Sequence, residues 1–277
     1  MVTNNLLTVT CTRDLKQMIL QAHSIDVFVT TRCTHWVFIE DTETSREEWI
    51  DLLSPFYTRH TLKLVYNYLT DFDHPGWYRQ QILKLYAVKL IQDDYLILDS
   101  KNFFIKSSNL DWDLVESSGL VTNIKYSIKG LFGDFQIFLK DYLDKDIGDY
   151  HYEAWSPFKA RKKIVKRILK EMDLFDCFKK CIDRKIYPSE FGLYSWFTDV
   201  DLEKNNLHID DYHKNTRFLT YWEDAHLTRP ISDNIEVLGI HRDVCYIKDY
   251  KLVDLAVDLS QRGLDQQILN NGFNIKW

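Results

Sequence analysis

Apolar positions switch between two spacings over the first hundred residues. Short apolar runs bounded by polar turns recur at LLTVTCT (6–12), HWVFIED (35–41), TLKLVYN (61–67) and YLILD (95–99). Each predicts a β-strand. Between them the spacing lengthens to that of a helix face. In RDLKQMILQAHSI (13–25) the apolar residues are Leu15, Met18, Ile19 and Ala22. SREEWIDLLSPF (45–56) adds a start signal, with Ser45 as N-cap and Glu48 as its capping-box partner. GWYRQQILKLYAVKLI (76–91) is the clearest helical segment. Strands alternating with helices predict right-handed crossovers and a mostly parallel sheet covered on both faces, hence an α/β protein with a Rossmann-like first half.

The regularity fades after Asp99. Residues 105–150 mix polar turns with short aromatic runs. SPFKARKKIVKRILKEMDLFDCFKKCI (156–182) predicts a long helix or a helix pair, with Ser156 at the N-cap and Pro157 at the first helical position. YPSEFGLYSWF (187–197) reads as a loop entering another helix. TRFLTYW (216–222) and NIEVLGIH (234–241) read as late strands, and KLVDLAVDLSQRGL (251–264) as a terminal helix. No repeat, low-complexity tract or linker divides the chain. One domain over 1–277 is expected, with a regular half at 1–104 and a more irregular half at 105–277.

Composition narrows the class. The 277 residues include eight Trp, sixteen Tyr and sixteen Phe, enough for a substantial core, while nine Gly and five Pro argue against a turn-rich all-β sandwich. A net charge of −6 gives no support for generic nucleic-acid binding. Five cysteines at irregular spacing do not form a secreted disulfide framework. The opening MVTNNLLTVTCTRD has no basic n-region or apolar h-region, and no window is long and apolar enough to span a bilayer. A soluble, cytoplasmic protein is the expectation.

The chemistry concentrates in DDYLILDSKNFF (93–104). A buried strand that delivers a carboxylate, Asp99, at its C-terminal edge is a common way to build a ligand site in an α/β protein. Two residues on, where a second acid would complete a cation site, stands Lys101. Read by itself the cluster Asp99-Ser100-Lys101-Asn102 is also an ordinary polar turn. Asp93 and Asp94 read as turn and cap residues. There is no G-x-G-x-x-G, Walker loop, H-E-x-x-H or G-x-S-x-G. Cys177 and Cys181 share a helical face without a second ligand pair at zinc spacing. His208 and His213 in HIDDYH look like ligands, but an exposed polar loop explains them equally.

Three blocks, GWYRQQILKLYA, YLILDSKNFF and SEFGLYSWF, resemble in this order a family assigned to the GT-A type of glycosyltransferase, found in bacteria and their phages and catalogued mainly as a domain of unknown function. The resemblance spans roughly residues 6–245. It implies a nucleotide-diphospho-sugar donor bound by the first half and an acceptor side built by the second. Asp99 matches the first acid of the family's Asp-x-Asp motif, and Lys101 replaces the last. Glu190 falls where an acceptor-side acid acts as base. His241 stands where a late histidine completes a metal site. Gln81 and Lys84 lie on the helix packed behind the Asp99 strand, on the sugar-nucleotide side.

Lys101 changes the expected chemistry. An ammonium in place of a carboxylate removes a metal ligand and adds repulsion of about 4 kcal/mol at 4 Å for unit charges in an effective dielectric of 20. The same ammonium can neutralise a leaving diphosphate directly. The expectation is therefore that no cofactor is required, the alternative being Mn²⁺ or Mg²⁺ held by Asp99, His241 and water. The acceptor is open among a glycan, a lipid-linked molecule and modified nucleic acid. The functional alternatives are a binding protein that keeps the donor pocket without turnover, and a phage enzyme that glycosylates modified DNA bases. The segment KARKKIVKRILK (159–170), with seven Lys or Arg, is either a solvated helix face or a peripheral contact with an anionic surface.

Overall fold

The computed structural model describes residues 4–40, 43–69, 76–111, 121–123, 133–145, 150–152, 156–198, 217–221 and 235–240. In chain order the strands are β1 (Asn4–Thr10), β2 (Cys33–Ile39), β3 (Thr61–Tyr66), β4 (Tyr95–Asp99), β5 (Asn102–Phe104), β6 (Val121–Asn123), β7 (Tyr150–Tyr152), β8 (Phe158–Ala160), β9 (Phe218–Tyr221) and β10 (Val237–Ile240). The helices are α1 (Leu15–Phe28), α2 (Arg46–Leu53), α3 (Gly76–Tyr86), α4 (Gly133–Leu143), α5 (Lys162–Glu171), α6 (Leu174–Asp183) and α7 (Glu190–Ser195).

The main sheet has the order β3-β2-β1-β4-β8. Its first four strands are parallel, and β8 closes the far edge antiparallel to β4. Strands β1 and β4 are buried on both faces, as parallel sheets require. Helices α3 to α7 pack on one face around Leu7, Tyr95, Ile97 and Phe158. Helices α1 and α2 cover the other, where Met18, Ala22 and Trp49 meet Val37 and Ile39. The sheet order reverses between β1 and β4, so the crevice beyond their carboxyl ends is the position at which such folds bind ligands. A second sheet, β5-β10-β9, is built directly after β4, with β5 antiparallel to β10. It brings residues more than a hundred positions downstream back to the Asp99 edge.

The four early strands occur where their apolar runs lie, with shifted ends. β1 begins two residues before its apolar run, where Asn4 donates to Thr31 Oγ1 and Asn5 Oδ1 accepts from Trp36 Nε1, and β2 begins equally early, with Cys33 and Thr34 paired to Asn4 and Asn5. Ser45 caps α2 as expected, its Oγ accepting from Glu48 N at 3.1 Å. Asp94 is a cap at long range, accepting from Lys162 N at the start of α5 at 2.8 Å. The late strands at 216–222 and 234–241 are found as β9 and β10, paired in parallel.

Two features correct the sequence reading. Ser156 and Pro157 do not open a helix. The Ser156–Pro157 bond is cis, and Phe158–Ala160 pairs with β4 as an edge strand, burying Phe158 and Ala160 on alternate positions. The helix begins at Lys162, and 162–183 is a pair interrupted at Met172–Asp173, where Asp173 caps the second helix. The second correction is α4, inside a stretch read as irregular. Phe135, Phe138 and Leu139 bury one face of it, and Gln136 is buried through a bond from Trp196 Nε1. The apolar stripe of α5, Ile164, Val165 and Ile168, is spent on the core, so its amphipathicity needs no membrane. No described helix is long and apolar enough to cross a membrane. His208, His213, His241 and the segment 251–264 lie outside the described residues.

Candidate functional site

Strand β4 runs buried from Tyr95 and ends on Asp99 at the crevice. The turn that follows is fixed by its own sequence: Asn102 Oδ1 accepts from Asp99 N at 2.8 Å. Gln21, buried on α1, ties both ends of the turn, donating to Asp99 O at 2.8 Å and Asn102 O at 2.7 Å. Its own carbonyl accepts from Thr8 Oγ1 on β1 at 2.8 Å, and Thr8 Oγ1 lies 2.9 Å from His35 Nε2. Burial drives the His35 pKa down to about 3, with His60 adding to the effect, so this relay is neutral. Ser100 Oγ donates to Asp14 Oδ2 at 2.9 Å. The Asp99 backbone is therefore held from both sides before any ligand arrives.

The Asp99 carboxylate meets two ammonium groups. Lys84 Nζ is 2.9 Å from Oδ1, and Lys101 Nζ is 2.8 Å from Oδ2. Ser156 Oγ donates to the same Oδ2 at 2.6 Å. Lys84 continues the chain of charge to Glu190, 2.7 Å from its Oε1, an ion pair off the hydrogen-bond direction. Gln81 Oε1 accepts from Glu190 N at 3.4 Å. Thus Asp99, Lys101, Lys84, Glu190 and Gln81 form one cluster of two cations, two anions and an amide. It divides by depth. The Lys84 and Glu190 side chains are 6% and 2% exposed, while those of Lys101 and Asp99 are 16% and 25% exposed. The outer pair faces the crevice; the inner pair holds it from behind.

Local sequence explains the inner pair. Ser189 caps α7, accepting from Gly192 N at 3.1 Å, and so puts Glu190 at the first helical position, where an anion is favoured. A Cβ at Gly192 would stand 2.4 Å from Gln136 Nε2, so any larger residue there requires the Gln136 amide to move. Lys84 points back along α3 toward its N-terminus, as helical side chains do, and reaches the end of β4. Tyr95 OH donates to Lys84 O at 2.8 Å.

The protonation equilibria of the two carboxyls are pushed apart. Burial raises the Asp99 pKa, but Lys101 and Lys84, with the bonds from Lys101 and Ser156, outweigh it and hold the group well below the usual carboxylate range. For Glu190 burial wins: Lys84 offsets it only in part, Asp99 repels, and the pKa is raised. Burial alone would lower the Lys84 pKa, yet Asp99 and Glu190 drive it above its ordinary value. Lys84 is a permanent cation, Asp99 a permanent anion, and Glu190 the more basic carboxylate.

Among the described residues Asp99 is paired with cations, and no carboxylate partner for a metal stands beside it. Both carboxylate oxygens are taken by ammonium groups, and among the described residues no three His, Cys, Asp or Glu side chains converge as metal ligands. His241 lies outside the described residues. Three participants escape a reading of the sequence. Ser156 looks like a helix cap, Gln21 is one polar residue in an apolar helix, and Asn102 is legible only as the last member of the polar cluster after β4.

Comparison with known proteins bears on the fold. Residues 48–229, more than half of the chain, match a family described as of unknown function (DUF6492). No curated protein matches the sequence. Two structures of the glycosyltransferase GlyE of Streptococcus pneumoniae TIGR4 are similar. One has a TM-score of 0.51 at 13% identity over 99% of this chain, and its apo form 0.50 at 11% identity over 98%. The chain covers 64% and 63% of those structures, less than two thirds of their length. The fold is thus GT-A-like, a glycosyltransferase-type α/β fold.

Proposed function

The chain belongs to the family of unknown function DUF6492, and we propose that it is a glycosyltransferase that moves a sugar from a nucleotide-diphospho-sugar to an acceptor hydroxyl without a metal ion. The observation that carries this reading is the outer pair at the end of β4, an ionised Asp99 beside the ammonium of Lys101 at the ligand crevice of a GT-A-like sheet. As the anomeric C–O bond breaks, its electron pair passes to the departing diphosphate. Lys101 neutralises that charge as a point-charge donor held in place beforehand. Asp99 orients Lys101 and accepts from ribose or sugar hydroxyls. Lys84 fixes the carboxylate from behind, and Gln81 fixes the backbone of Glu190.

If the transfer inverts configuration, Glu190 takes the proton of the acceptor hydroxyl, for which its raised pKa suits it. A second reading has its own observation. At 2% exposure and 2.7 Å from Lys84, Glu190 is an anchor that keeps Lys84 against Asp99, with no proton transfer. Glu190→Gln separates the two. A general base predicts a drop in kcat of roughly a hundredfold or more and loss of the acid limb of the pH profile. An anchor predicts a lowered melting temperature with the pH profile unchanged.

The proposal as a whole is tested with UDP-, GDP-, CDP- and dTDP-sugars, reading thermal shift and nucleotide release in EDTA. Stabilisation together with release is the expected result, and Asp99→Asn is expected to reduce both. Stabilisation without release across glycan, lipid-linked and nucleic-acid acceptors would make the protein a nucleotide-sugar-binding module. No response to any donor would remove the reading altogether.

A further inference from the structure

Two exposed aromatic rings stand beside the charged cluster, and neither has a part in the chemistry above. Among the described residues the exposed large apolar side chains include only two aromatic ones, Trp77 at 41% and Tyr187 at 49%. They are far apart in sequence and joined in the fold. Trp77 Nε1 donates to Pro188 O at 3.3 Å, and Tyr78 OH donates to Ile186 O at 3.2 Å. The carbonyls on both sides of Tyr187 are thus gripped by neighbouring residues of α3. The Trp77 ring is anchored through Nε1 and the backbone that carries Tyr187 is held on both sides, and both rings stand at the surface, where an apolar ring gains nothing from water.

Their position follows from topology. Helix α3 comes after the parallel strand β3 and returns toward the start of β4, so its N-terminus lies at the carboxyl edge of the sheet, the edge of Asp99. Trp77, Gln81 and Lys84 recur at i, i+4 and i+7 and share one face of that helix. Seven residues of helix separate the backbones of Trp77 and Lys84 by about 10 Å along the axis, and the Lys84 side chain points back over part of that distance. The segment 188–190 runs alongside, bonded to Trp77 at Pro188 and to Gln81 at Glu190. The rings therefore stand on the Glu190 side, beside the segment that carries it.

Resting on the glycosyltransferase reading, we infer that Trp77 and Tyr187 form an acceptor subsite that stacks on the C–H face of a pyranose ring, so that the acceptor is a carbohydrate. A pyranose is amphipathic: its axial C–H groups form an apolar face and its hydroxyls a polar rim, which matches an aromatic platform next to a polar cluster. The donor's nucleotide belongs in the crevice between β1 and β4, leaving the α3–α7 side for the acceptor. A nucleic-acid acceptor is disfavoured by the net charge of −6, which repels a polyanion.

The test uses saturation-transfer NMR with methyl glycopyranosides of the gluco, galacto, manno and N-acetylglucosamine series, cellobiose and maltose, with adenosine and uridine as comparators. Wild-type protein is expected to transfer magnetisation to the ring C–H protons of at least one glycoside. Trp77→Ala and Tyr187→Ala are expected to weaken that glycoside by roughly tenfold, and Trp77→Phe by no more than about threefold. Thermal shift by a nucleoside diphosphate is measured on each variant. It reports folding and the donor side, so its loss in the wild type would count against the function and its retention in the variants isolates the acceptor side. Should Trp77→Ala melt early, Trp77→Phe and Tyr187→Ala decide the matter. The inference is overturned if no glycoside response depends on either ring, or if the nucleosides depend on Trp77 and the glycosides do not.

Discussion

Replacing Lys84 with methionine is expected to lower the melting temperature at neutral pH by roughly 10 °C. Methionine fills much of the volume of the lysine stem but leaves Glu190 buried with no cation against it. Removing one partner of a buried pair costs about 3–5 kcal/mol, because the other charge remains desolvated. For a chain of this size each kcal/mol is worth about 2–4 °C. The pH dependence gives the sign. Glu190 already has a pKa above its unfolded value, and without Lys84 it rises further. Its ionised form then opposes folding at any pH above the unfolded carboxylate range, about 4.3, and protonation relieves the penalty as pH falls toward that value. The variant should thus lose most at pH 7.5 and least near pH 5. Asp99 behaves oppositely. Its depressed pKa gives stability that is complete above about 3.9 and is lost only as pH falls toward a folded-state value far below. Adding Glu190→Leu to Lys84→Met removes the stranded charge and should restore much of the loss. Thermal melts at the two pH values check this. Melting within about 2 °C of wild type, or an equal loss at both pH values, would show that Lys84 is not the keystone of the cluster.

The outer half of this site was legible in local sequence, whereas the inner half was named only through the family resemblance, for a physical reason. Asp99 and Lys101 announce themselves because an apolar strand stops on a polar run, a local pattern that β4 and its turn reproduce. Lys84 and Gln81 are visible as polar positions on a strongly helical segment, though nothing local says that Lys84 faces inward. That it bridges Asp99 to Glu190 depends on packing α7 against α3, a contact between residues more than a hundred positions apart. Ser156 shows local chemistry misleading outright. Ser-Pro is a sound helix-start signal, but the next three residues gain more by pairing with β4, which frees the serine hydroxyl for Asp99. Helix α4 was hidden similarly, since its buried Gln136 interrupts an apolar face that only the bond from Trp196 makes continuous. The fold class survives such errors because it rests on the alternation of four strands with three helices, which no single residue controls.

Removing Lys101 should give the opposite profile to removing Lys84. Lys101 is the more exposed cation, and Asp99 keeps Lys84 and Ser156 when it is gone, so Lys101→Met is expected to melt close to wild type. Its effect falls on the ligand. A hydrogen bond to a charged group contributes about 1.5–3 kcal/mol, so the affinity for a nucleoside diphosphate should drop roughly ten- to a hundredfold. Lys101→Arg keeps the charge and should retain most of that affinity, even though a guanidinium replaces a point charge with a fork. EDTA should leave the wild-type affinity unchanged, and raising ionic strength should weaken wild type more than Lys101→Met, because only the former loses an attraction that salt screens. Calorimetric titration with UDP, GDP and CDP, with and without EDTA and Mn²⁺, reads all of these at once. If chelator abolishes wild-type binding and Mn²⁺ restores it, the diphosphate is being met by an ion. The ammonium at the edge of β4 would then be a neighbour of the chemistry, with no part in it.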